Sequence, residues 1–238
     1  MGNDRRMATR PLDHLDELID AQDAFLASIG EVDPATPVPW CEGWRVRDLV
    51  VHLADVHHWA AAQARSVHEA PVAPGLSLED RYRACAVELR RTLVELGPDA
   101  VGSTLLGPGP ASFWRRRQLH ETVVHLWDLR TAGGLEADVR PEVWADTVDE
   151  VVTVMQPRQV RLGRMSRLPA PVELVATDVE ATWRLDTADR GPAVVRVRAP
   201  GSVLALMLWG RRSPDDARVR VSGDDGVLRA ALAEPLTP

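Results

Sequence analysis

The sequence has no lysine: all 28 of its basic residues are arginine. No lysine is therefore available as nucleophile, Schiff base or phosphate ligand. Tyrosine occurs once and phenylalanine twice, against eight tryptophans, so Trp is the main aromatic filler. Residues with AT-rich codons (Lys, Asn, Ile, Phe, Tyr) are scarce throughout, which points to a GC-rich gene. The two cysteines, Cys41 and Cys85, are too few and too far apart for a disulfide framework or a cysteine zinc site. Both are expected to pack as small apolar residues. No apolar run reaches the roughly 18 residues of a membrane span. The opening stretch MGNDRRMATRPLDHLDEL lacks the apolar segment of a secretory signal. A basic excess is missing too: 28 basic residues face 35 acidic ones, a net charge of −7. That argues against a generic nucleic-acid binder. The loop Gly107-Pro108-Gly109-Pro110 leads into no Walker sequence and cradles no phosphate. The expectation is a soluble cytoplasmic protein, monomeric or weakly dimeric, with no nucleic-acid or membrane partner.

A chain of 238 residues that is 45% apolar can bury a sizeable core. Helical spacing of apolar residues predicts helices over 11–29, 45–69, 78–96 and about 111–132, punctuated by Pro and Gly. Four such helices suggest a four-helix bundle. A fifth helix, about 141–156, reads as a connector. Beyond the polar run PRQVRLGRMSRLPAP the pattern turns to short β-rich segments (VELVAT, ATWRLD, AVVRVRA, ARVRVSG). The apolar SVLALMLWGR and the terminal DGVLRAALAE read as helices. The expected organisation is a helical bundle over 1–164 and a smaller α+β domain over 165–238.

The fourth helix carries the most chemistry. At about 100° per residue with Glu121 at 0°, Arg117 falls near −40°, His125 near +40° and Asp128 near −20°. Leu119, Val123 and Leu126 cluster on the opposite side. Glu121 and His125 stand one turn apart, about 6 Å at Cβ, close enough to share a metal. The bland alternative is a solvated amphipathic helix with an ordinary surface pair. Facing helices of a bundle can instead aim ligands inward at one metal, which requires a third ligand from another helix. The second helix offers His52, His57 and His58. His58 lies opposite the apolar stripe and is expected to be exposed; periodicity does not choose between the other two.

These segments resemble the mycothiol-dependent maleylpyruvate isomerase family, part of the wider DinB-like metalloenzymes. In WCEGWRVRDLVVHLADVHHWA the family's first motif maps to Cys41, Gly43, Trp44, Val46, Leu49 and His52, with Glu42 in place of the usual Pro. The second motif maps to Arg117, His120, Glu121, His125, Trp127 and Asp128, with Leu126 replacing a frequent Arg. ATD at 176–178, Trp183, LMLWGR at 206–211 and Val221, Gly223, Asp224 resemble the family's sterol-carrier-like C-terminal module.

The resemblance implies a zinc site of His52, Glu121 and His125, with Asp128 and Arg211 lining the cleft as catalytic groups. Arg117 and Trp44 are expected to contact the cofactor. Two neutral imidazoles and one carboxylate leave an open position on zinc, the catalytic pattern. A thiol entering there loses its proton, and mycothiol is the thiol the family implies. The expected function is cis-trans isomerisation of a small electrophile, or thiol transfer onto it. The alternatives are a metal- or thiol-binding protein without turnover, and a hydrolase using zinc-bound water. Residues 1–160 hold all three ligands and are expected to fold and bind zinc alone. Asp128, about 10.5 Å along the helix from Glu121, is expected to meet substrate rather than metal.

Overall fold

Asp13 starts the first helix: its carboxylate accepts the backbone N–H groups of Leu15 and Asp16, two of the donors that a helix start leaves free. α1 then runs His14–Ile29. The computed structural model describes residues 12–168, 170–185 and 191–238. Pro11, expected at the helix start, and Asp186, the last residue of ATWRLD, lie outside them. α2 (Val46–Arg65) is shorter than expected. It stops because Ser66 turns left-handed, with φ 55°. α3 (Leu78–Leu96) is capped by Ser77 and ends before Gly97.

The Gly-Pro-rich segment is more ordered than a loop. β1 (Val101–Thr104) and β2 (Gly107–Pro110) pair antiparallel. The hairpin lies against the end of α2, and Gly102 is what lets it approach: a Cβ there would come within 2.2 Å of the Ala64 carbonyl oxygen. α4 (Ser112–Ala132) follows. α1 packs on α4, and α2 packs on both α3 and α4, giving the expected bundle.

α5 (Pro141–Glu150) does not continue unbroken to 156. It passes through a π-helical turn, Val151–Met155, into α6 (Gln156–Arg161). Pro157 has no N–H to return to the preceding turn, and the Gln156 N–H donates to the Val151 carbonyl instead. Such widened turns recur at functional sites.

The C-terminal part forms a four-stranded sheet in the order β4-β3-β5-β6. Its strands are β3 (Val172–Ala176), β4 (Thr182–Leu185), β5 (Val195–Ala199) and β6 (Arg220–Gly223). β3 and β5 are parallel; the outer pairings are antiparallel. Val195, Val197 and Ala199 point inward while Arg196 and Arg198 face water, the period of a one-sided sheet. α7 (Gly201–Leu208) is apolar almost all round and buried, and α8 (Asp225–Leu232) closes the fold.

The expected boundary at 164/165 falls between α6 and β3. α5, on its N-terminal side, nevertheless packs on α7. One apolar core runs from Trp114 and Val123 through Trp144 and Val148 into Leu174, Val197 and Leu204. A second core gathers Phe25, Leu49, Leu53 and Tyr82 within the bundle.

Candidate functional site

α4 is buried on every side, which excludes the solvated amphipathic helix. Leu119, Val123 and Leu126 are buried opposite Arg117, His125 and Asp128, which are buried as well. Its polar face must therefore find partners inside the protein, and it does so on α2, on α5 and in the C-terminal part.

Toward α2, Glu121 Oε1 lies 3.6 Å from His52 Nε2 and 3.2 Å from His125 Nε2. The two imidazoles meet edge-on, with centroids 5.2 Å apart. One donor atom from each of His52, Glu121 and His125 falls within 4.8 Å of the others, and this is the one such group among the described residues. A zinc ion bonded at about 2.0–2.2 Å to N and O ligands holds them roughly 3.4 Å apart. The donor set and its spacing fit that ion.

The electrostatics fit as well. Burial opposes ionisation of Glu121. The charge of Arg117 and hydrogen bonds with His125 and His52 outweigh it and hold the carboxyl well below its ordinary range. Burial also opposes charge on His125, yet bonds to Asp128 and Glu121 push it up to about 9. Metal binding by His125 would need the neutral ring and would therefore be coupled to proton release.

Behind His125, Asp128 Oδ2 accepts from Nδ1 at 2.9 Å, which leaves Nε2 to face the cluster. Asp128 is fully buried and does not line the cavity. Both of its carboxylate oxygens are engaged, by His125 and by Arg211 at 3.0 and 3.3 Å. Arg211 does reach the cavity. It also stacks on Trp209, as Arg117 does, at 5.8 and 5.2 Å from the ring centroid.

A cavity of about 600 Å³ opens onto this cluster, well within the range of small-molecule sites. Trp44 lines it and packs edge-on against His52 at 4.9 Å. Arg117 lines it too, but both ends of its guanidinium are held, by Glu121 and by Glu150. Cys41 packs against the bundle core as expected and also lines the cavity. Its Sγ is 3.6 Å from Arg211 Nη2 and 3.9 Å from Asp128 Oδ2. Burial and the Asp128 charge push its thiol up. It is therefore a poor competitor for an incoming thiolate. Cys85 packs in the bundle core as expected.

The remaining α2 histidines are engaged elsewhere. His57 is fully buried with Nδ1 2.8 Å from Gln118 Oε1. His58, expected to be exposed, is buried between Glu88 and the Ala70 carbonyl, each at 2.6 Å. The stretch after α2 folds back over it, which helical periodicity alone does not report.

Two family models match the chain: the mycothiol maleylpyruvate isomerase N-terminal domain over residues 15–130, and the C-terminal domain of the same family over 142–230. The chain belongs to the mycothiol-dependent maleylpyruvate isomerase family. Membership makes it an enzyme. The crystal structure of the mycothiol-dependent maleylpyruvate isomerase superposes with a TM-score of 0.64 at 18% identity, covering 89% of this chain and 92% of that one. A mutant of that isomerase gives 0.65 with the same identity and coverage. At this identity the likeness establishes the fold. Two uncharacterized proteins of Mycobacterium tuberculosis, Rv0738 and MT0763, are each 29% identical over 126 residues, 52% of this chain and 69% of theirs.

Several groups around the site escape sequence inspection. Glu150 and Asp146 sit on α5, which reads as a connector, yet both reach the polar face of α4. Arg158 and Arg164 come to the cavity from α6 and the turn after it. Neither has a carboxylate partner among the described residues.

Proposed function

We propose that this enzyme binds a divalent zinc ion through His52, Glu121 and His125 and uses mycothiol to act on a small anionic electrophile. Convergence of those three donors on the wall of a 600 Å³ cavity carries the reading. Bound zinc would supply the positive charge that keeps an incoming thiol ionised at neutral pH. The family supports mycothiol as that thiol.

The chain's own groups would divide the remaining work. Asp128 holds the His125 ring so that Nε2 faces the metal position. Trp44 and Trp40 offer apolar wall at the cavity mouth, suited to the body of the thiol or the substrate. The Trp209 indole N–H is buried without a partner among the described residues, an orphan donor in the wall. Arg211 lies beside the cluster, with Arg158 and Arg164 elsewhere on the lining. In a chain of net charge −7, Arg158 and Arg164, on the lining without carboxylate partners among the described residues, favour an anion there. Arg211 would orient the negative end of the electrophile while carbon faces the thiol sulfur. Isomerisation needs the sulfur to add, the carbon–carbon bond to turn, and the sulfur to leave. Transfer stops after addition.

The test is zinc-reconstituted protein assayed with mycothiol on conjugated unsaturated acids, following both double-bond geometry and thiol adducts. Turnover that requires thiol and zinc supports the proposal. Turnover of an ester or amide without thiol would favour the zinc-water hydrolase. No turnover with tight thiol binding would favour a carrier.

The domain boundary and the cellular location are proposals in the same sense. We place the division of modules at 164/165, and the enzyme where mycothiol is made, the cytoplasm. No helix among the described residues is long and apolar enough to cross a membrane.

A further inference from the structure

Arg117 poses an electrostatic problem. It lies one turn before Glu121 on α4, its side chain only 4% exposed, with Nη2 on Glu121 Oε2. A buried cation bonded to a metal-binding carboxylate competes with the metal for the same negative charge. The protein sets a second carboxylate on the other side. Glu150 Oε2 accepts from Arg117 Nη1, and Glu150 is itself buried.

We propose that Glu150 is a positioning residue of the metal site, holding Arg117 so that it orients Glu121 without cancelling its charge. The inference rests on the zinc reading above. The two oxygens of Glu121 have divided roles. Oε2 takes the guanidinium, and Oε1 faces His52 and His125. With Glu150 in place the Arg117 charge is shared between two carboxylates, so Oε1 keeps electron density for a cation. Behind Glu150, His120 Nδ1 lies 2.9 Å from its Oε2, an ion-pair distance without hydrogen-bond geometry, while His120 Nε2 is hydrogen-bonded to Asp146 Oδ2 at 2.8 Å. Asp146 is held in turn by Arg116 and His14. The helix that carries Glu150 ends there, and the π-helical turn begins at the next residue. At the far end of that turn Met155 lines the cavity. One irregular turn thus separates a residue that braces α4 from one that walls the substrate space.

The experiment is zinc affinity of the full-length metal-free protein, read by competition with a chromophoric chelator. Wild type is compared with Glu150→Gln, Arg117→Gln and the double variant. Glu150→Gln should weaken zinc on the order of 10- to 100-fold, the usual effect of losing an outer support. The double variant should bind more tightly than Glu150→Gln, because the unshared cation beside Glu121 is gone. A merely architectural Glu150 would make the double variant weaker than the single one. Should Glu150→Gln fail to fold, the double variant is compared with Arg117→Gln. Without Arg117 the second change should leave zinc affinity within about twofold. Wild-type affinity in Glu150→Gln, or a further loss from Arg117→Gln to the double variant, overturns the proposal. Wild-type protein that binds no zinc overturns the metal reading beneath it.

Discussion

Asp128 accepts a hydrogen bond from Nδ1 of His125 at 2.9 Å, one turn along the same helix. Burial opposes its charge, but His125 and Arg211 keep it ionised below the ordinary carboxylate range. It fixes which ring nitrogen faces His52 and Glu121. Asp128→Asn should therefore weaken zinc on the order of 10-fold or more and lose activity in proportion. Parallel titration of zinc content and turnover checks this. Zinc retained with turnover lost would return Asp128 to direct proton transfer with substrate.

Arg211 should behave differently. It bonds Asp128 through Nε and Nη2 and still reaches the cavity. Arg211→Lys keeps a cation but loses the fork. Zinc content should stay near wild type, while kcat/KM for an anionic substrate falls roughly 10- to 100-fold, the worth of one or two charged hydrogen bonds. An equal fall for a neutral analogue would show that Arg211 does not meet the substrate's charge.

His58 gives a pH signature. Burial lowers its proton affinity, but the bonds to Glu88 and the Ala70 carbonyl outweigh that and raise it above the ordinary value. A raised folded-state value contributes stability that is complete below about pH 6.5 and is lost as pH rises through the folded value. The Tm advantage of wild type over His58→Gln should be largest near pH 6 and shrink toward pH 9, by thermal melts across that range. A gap that widens with pH would contradict the ion pair.

The fragment ending at residue 160 should not fold as an independent zinc protein, contrary to the sequence expectation. Removing the sheet and α7 exposes Val143, Trp144 and Val148 of a shared core. Each large apolar side chain loses about 1.5–3 kcal/mol of burial, against a total stability of about 5–15 kcal/mol. Circular dichroism and size-exclusion chromatography of the fragment check this. A cooperative melt would show that the bundle is self-sufficient.

Much of this was legible in the sequence because it depends on local spacing. The helical stripes of α1 to α4, the β alternation of Val195 to Ala199 and the one-turn offset of Glu121 and His125 are periodic, and periodicity survives in the linear chain. Contacts made across the fold left no such trace. His58 lies opposite an apolar stripe yet is covered by the chain after α2. Cys41 looks like filler until its loop meets Arg211. Glu150 lies on a helix that reads as a connector until α5 turns it toward Arg117. The π-helical turn had a signal in Pro157, but a proline after a helical run reads equally well as a stop.

The most direct test of the account is zinc per chain in purified, metal-reconstituted wild type and in His52→Ala, Glu121→Ala, His125→Ala and His58→Gln, measured by elemental analysis with folding checked by circular dichroism. A three-ligand site has no spare donor. The account predicts about one zinc per chain in wild type and His58→Gln, and a sharp loss in each of the other three folded variants. Full zinc retention in His52→Ala, or zinc lost from His58→Gln, would contradict it.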